Sequence, residues 1–121
     1  MATDDFYATR TVDGVCIVTF RQSHILDAVT IERMAASLKD LVDQAAERRF
    51  VFDFASVTYL SSSALGMLIG LQRHFAQRKE TLKLAGINPE IMEVFRITKL
   101  DTVFDIYKDV DAAVEACRKN L

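Results

Sequence analysis

Two spacings alternate along this chain. Tyr7–Val12 and Val15–Phe20 are β-prone runs separated by Asp13-Gly14, a dipeptide suited to the positive φ angles of a two-residue hairpin, so two antiparallel strands are predicted at the start. From Thr30 the apolar positions Ile31, Met34, Leu38, Leu41, Val42 and Ala45 recur three and four apart, which is a helical period. Thr30 is the predicted N-cap, and Arg48 and Arg49 close that helix at its negative end. Residues 50–54 are short, β-branched and aromatic, as a strand covered on both faces should be. Ser62–Gln77 returns to the helical period, with Ala64, Leu68, Leu71 and Phe75 on one stripe and Leu65, Ile69 and Ala76 beside it.

A strand is predicted at Thr81–Ala85, followed by a turn at Gly86 and Asn88-Pro89 and a short helix through Ile91, Val94 and Phe95. A last strand is predicted at 103–107, and Val110, Ala113, Val114, Cys117 and Leu121 form one face of a closing helix. The order β-β-α-β-α-β-α-β-α with right-handed crossovers predicts an α/β fold: a largely parallel sheet with an antiparallel N-terminal edge strand. The whole chain, 1–121, is expected to form a single domain.

Composition narrows the classes. Half the residues are apolar and one Pro and four Gly leave little room for a disordered linker, so a folded core is expected throughout. The net charge of −2 comes from interspersed acids and bases, without the basic face that nucleic acid or an anionic membrane requires. No secretory leader is expected from the acidic Met-Ala-Thr-Asp-Asp start, and no apolar run approaches the length of a membrane span, so a soluble cytoplasmic protein is expected. Cys16 in a strand and Cys117 on a helical stripe are expected to be reduced core thiols.

Candidate chemistry concentrates where the strand at 50–54 leads through a short loop to Ser61, Ser62 and Ser63 at the start of an apolar helix. A helix start has unpaired N–H groups and a positive dipole end; a hydroxyl caps it, and a phosphate is tolerated there. No GxSxG, P-loop, GxGxxG or HExxH occurs, His24 and His74 have no ligand-spaced partners, and Ser63 and His74 on one helix would stand about 16 Å apart. No catalytic residue, cofactor or metal site is therefore assigned. Gly66-x-x-x-Gly70 is expected to let its helix approach the sheet, and Asp53 to support the loop through backbone hydrogen bonds.

The serine segment resembles the signature of the STAS family, whose best-studied members are bacterial anti-sigma factor antagonists. That signature runs Asp-Ser-Ser-Gly-Leu-Gly, with the second serine as phosphoacceptor. Asp53 and Ser56 upstream and Leu65-Gly66 downstream place Ser63 at the acceptor position and Ser62 before it; Ser61 stands for the family's Asp and Ala64 for its Gly. Residues 14–20 resemble the family's second strand, Ile25-Leu26-Asp27-Ala28 its Leu-Asp-Ala loop, and residues 84–89 its Leu-x-Gly-x-x-Pro turn.

The resemblance implies a phospho-switchable binding module. Phosphorylation is expected at Ser63 or Ser62, and partner contacts at Asp27, Ser61, Ser62, Ser63 and Ala64. The implied partners are an anti-sigma factor serine kinase, bound when the domain is unmodified so that a sigma factor is released, and a phosphatase that restores that state. Ser61 and Ala64 keep a second expectation open, a constitutive subunit of a transporter or sensory complex with no phosphorylation cycle.

Overall fold

The computed structural model describes residues 6–25 and 27–119. β1 (Tyr7–Val12) and β2 (Val15–Phe20) form the hairpin, turning on Asp13 and Gly14 at φ 52° and 78°. After α1 (Ala28–Gln44), β4 (Arg49–Asp53) lies parallel to β2; β6 (Thr81–Ala85) and β7 (Asp105–Tyr107) extend the sheet on the far side, in the order β1-β2-β4-β6-β7. Helices α2 (Ser62–Gln77) and α3 (Pro89–Ile97) make the crossovers, a 3-10 turn at Leu100–Thr102 precedes β7, and α4 (Val110–Lys119) closes the described chain. The expected architecture is therefore present, with β1 as the antiparallel edge strand.

Strand alternation sorts the core onto two faces. Cys16, Val18, Phe20, Phe50, Phe52, Leu82 and Leu84 join the buried faces of α1, α2 and α3, whereas Val15, Ile17, Val51 and Ala85 meet Ala113, Val114 and Cys117 of α4. Cys16 and Cys117 are buried free thiols on opposite faces of the sheet. The one buried charged residue among those described, Lys83, lies on the α4 face and reaches Asp105 at 2.6 Å.

Several expectations are corrected. The N-cap of α1 is Asp27, not Thr30: its carboxylate accepts the Thr30 N–H, so the helix begins two residues before that threonine. Arg48 and Arg49 lie beyond that helix, Arg49 opening β4 and Arg48 donating to the Arg78 carbonyl at 3.3 Å. Val94 and Val103 are exposed rather than core, and the last strand starts at Asp105. Gly66 and Gly70 are exposed, and a Cβ built on either meets nothing within 4 Å, so neither serves a close approach to the sheet. Leu26 and Leu121 lie outside the described residues.

A second, two-stranded ladder has no counterpart in the hydrophobic pattern. β3 (His24–Ile25) pairs in parallel with β5 (Tyr59–Leu60), His24 opposite Tyr59 and Ile25 opposite Leu60.

Candidate functional site

The site grows from the carboxyl end of β4, where parallel α/β sheets place their functional loops. Asp53 ends that strand and folds its carboxylate over the loop: Oδ1 accepts the Ala55 N–H at 3.0 Å and Oδ2 accepts the Thr19 hydroxyl at 3.4 Å. This is the supporting role the sequence suggested. Gly86, at φ 73°, lies directly behind, where a Cβ would stand 3.2 Å from both the Ala55 nitrogen and Asp53 Oδ1. Left-handed backbone and close packing together demand glycine there.

From the loop the chain is held against the β2–β3 connection. The Ser23 carbonyl accepts Thr58 N–H at 2.7 Å, Tyr59 N–H at 3.1 Å and the Thr58 hydroxyl at 3.1 Å, and the Ile25 carbonyl accepts Ser61 N–H at 3.0 Å. These bonds put both helix starts at the same end of the small ladder, since the N-cap Asp27 comes two residues after Ile25 and the N-cap Ser61 one residue after its partner Leu60.

Within the serine segment the three hydroxyls divide their roles. Ser61 is the N-cap of α2, in extended conformation, with its oxygen accepting the Ala64 N–H at 3.2 Å. Ser62 and Ser63 occupy the first turn and are exposed. Ala64 is fully buried in the core, which corrects its expected place among the partner contacts: its side chain offers a docking protein no surface. Asp27 is exposed, and its Oδ2 accepts both the Thr30 N–H at 3.0 Å and the Thr30 hydroxyl at 2.9 Å. Those bonds, the backbone one foremost, hold its carboxyl below the usual value and keep it charged.

Sequence reasoning missed the apolar relief around these groups. Val29 is 61% exposed and Tyr59 54%, and a groove of about 220 Å³ runs between Tyr59, Leu60 and Leu65 on one side and Ile91 and Val94 of α3 on the other. Tyr59, an aromatic between the strand at 50–54 and the serines, is the signal that could have marked this surface; Val94 shares the helical spacing of Ile91 and Phe95 and carries none. A larger hollow, about 460 Å³, lies between β1 and α1 beside the Tyr7–Ser37 hydrogen bond, on different elements from the serines.

Ser63 and His74 stand at opposite ends of α2, and His74 Nε2 is instead 2.9 Å from Asp43 Oδ1 on α1. Among the described residues no group of three or more His, Cys, Asp or Glu is arranged to hold a metal ion, and no helix is long and apolar enough to cross a membrane.

The STAS domain model matches residues 7–113. A STAS-domain containing protein of Pseudomonas aeruginosa is 39% identical over 59 residues, which span 49% of this chain and 58% of that protein. BtrV of Bordetella bronchiseptica, which carries the name of an anti-sigma factor antagonist, is 27% identical over 110 residues, 91% of this chain and 92% of its own. Among solved structures, the Bacillus cell fate determinant SpoIIAA in its phosphorylated form superposes with a TM-score of 0.67 at 17% identity, covering 91% of this chain and 98% of that one. At that identity the likeness is one of fold.

Proposed function

The chain belongs to the STAS domain family, and from that premise we propose that it is an anti-sigma factor antagonist whose α2 start is a phosphorylation-controlled docking surface. The observation that carries this is the division of labour among the serines: Ser61 supplies the cap, so Ser62 and Ser63 remain exposed on the first turn with hydroxyls the cap does not use. Ser63, in register with Leu65-Gly66, is the proposed acceptor, and Ser62 is the neighbour that could replace it.

In the unmodified state the surface formed by Asp27, Ser62, Ser63 and the rim of Ser61 docks on an anti-sigma factor of the serine-kinase type, and a sigma factor is released. Nucleotide belongs to that kinase. Phosphorylation adds about −1.5 to −2 charges at neutral pH. The added charge is compatible with the helix, whose N-terminal dipole end favours an anion, and incompatible with docking, because a phosphate must be desolvated when the surface is covered. The domain acts by binding and not by catalysis, and a phosphoserine phosphatase resets it.

Incubation with an anti-sigma factor serine kinase and ATP, followed by mass spectrometry of the peptide covering residues 61–63, tests this. Phosphate on Ser63 that disappears in a folded Ser63→Ala variant supports the switch. Undiminished incorporation in that variant moves the acceptor to Ser62 or Ser61. No incorporation into wild type by any such kinase overturns the phosphorylation cycle.

A further inference from the structure

We propose that Asn88 is the positioning residue of the serine segment, using its two amide atoms to tie α3 to the loop that delivers Ser61, Ser62 and Ser63. Its carbonyl Oδ1 accepts the Ile91 N–H at 2.8 Å and so caps α3, ahead of Pro89 at the first helical position. Its Nδ2 points the other way, to the carbonyls of Val57 at 3.4 Å and Thr58 at 3.3 Å. Either function alone is common. The combination is not interchangeable, because Ser, Thr or Asp can cap a helix but none has a donor with this reach.

The place of these carbonyls gives the contact its consequence. Thr58 is already bound through its N–H and hydroxyl to Ser23, so the Asn88 bond to its carbonyl clamps one residue from both sides, three positions before Ser61. The groove beside the serines has Tyr59 and Leu60 on one wall and Ile91 and Val94 on the other. Asn88 caps the helix that carries the second wall and bonds the loop that leads into the first. Asn88 thereby fixes the position of α3 relative to the loop that enters the serine-bearing turn.

The importance of Asn88 for phosphorylation rests on the assignment of Ser63 above; its hold on the loop does not. The experiment compares Asn88→Ser, which keeps a cap and loses the amide donor, with Asn88→Ala, which loses both. Amide hydrogen exchange is followed by NMR at Thr58, Tyr59, Ser61 and through α3. In Asn88→Ser the loop amides should exchange about three- to tenfold faster while α3 stays within about twofold of wild type. In Asn88→Ala both segments should accelerate. With a kinase that modifies the wild-type domain, Asn88→Ser should lower kcat about tenfold and leave KM unchanged, as expected for a displaced hydroxyl on a folded surface. Unchanged loop exchange in Asn88→Ser, or equal acceleration of loop and α3, overturns the positioning role. Failure of every kinase to act on wild type overturns the phosphorylation cycle while the exchange result still decides the role of Asn88.

Discussion

The Ser61 side-chain oxygen lies 3.2 Å from the Ala64 nitrogen and accepts its hydrogen bond. This contact explains how a serine replaces the aspartate usual at this position in the family. Both residues are good N-caps, and the helix start requires an acceptor more than it requires a charge. Ser61→Ala should therefore cost about 1 kcal/mol of stability, whereas Ser61→Asp should be neutral or mildly stabilising. Chemical denaturation of the two variants checks this; equal stability of Ser61→Ala and wild type would show that the cap is energetically idle.

A negative group on the next turn position should separate stability from binding. Ser63→Glu is expected to leave the melting temperature within about 2 °C of wild type, because the α2 dipole tolerates an anion at its start. It should nevertheless weaken binding to the proposed anti-sigma partner at least tenfold by calorimetry. Equal affinities would remove electrostatics from the proposed switch.

The glycines of this chain should respond to alanine with opposite signs. Gly66 and Gly70 sit mid-helix with open space where a Cβ would go, so each substitution should stabilise the fold by about 0.5–1 kcal/mol. Gly86→Ala should instead destabilise by at least about 1 kcal/mol, having both a φ of 73° and contacts at 3.2 Å to overcome. Urea midpoints decide the matter, and a destabilising Gly70→Ala would contradict the open surface seen at that position.

Cys16 sets an alkaline limit. Burial first, and the charge of Glu47 second, push its thiol from 9.0 up to about 11. A thiol raised on folding contributes stability that is fully present below its unfolded value and lost as pH climbs through the folded one. Stability should thus decline between pH 9 and about 11, and the Cys16→Ala variant should show less of that decline. The same burial predicts negligible alkylation of Cys16 at pH 8 until the protein is unfolded. Rapid labelling of native protein would contradict it.

The strands and helices that carry long apolar periods were legible in the sequence. Ser62–Gln77 and Thr81–Ala85 have the boundaries their spacing predicted, because Leu68, Leu71 and Phe75 or Leu82 and Leu84 leave one consistent face to bury. The serines were legible as a helix start for the same reason. What was missed depends on contacts between distant segments. Two-residue strands such as His24–Ile25 have no period to read, and Ala64, whose place on the stripe with Leu68, Leu71 and Phe75 marks it as buried, was expected among the partner contacts only through the motif it belongs to. Thr30 has a cap-forming side chain and precedes the apolar period, but the side chain that caps α1 is that of Asp27, which only the backbone course reveals. Gly66 and Gly70 have helical spacing, yet spacing alone does not tell which way a face without side chains turns.

The small β3–β5 ladder makes the serine surface a property of the completed molecule. Ser23 and Thr58, which its bonds join, are 35 positions apart, and the whole β2–α1–β4 crossover must close before they meet. A short peptide copied from residues 51–66 carries every letter of the motif but neither carbonyl that holds Thr58, Tyr59 and Ser61 in place. An enzyme or receptor that recognises this shape would therefore be blind to nascent, unfolded or proteolysed chains and would engage only molecules that have finished folding.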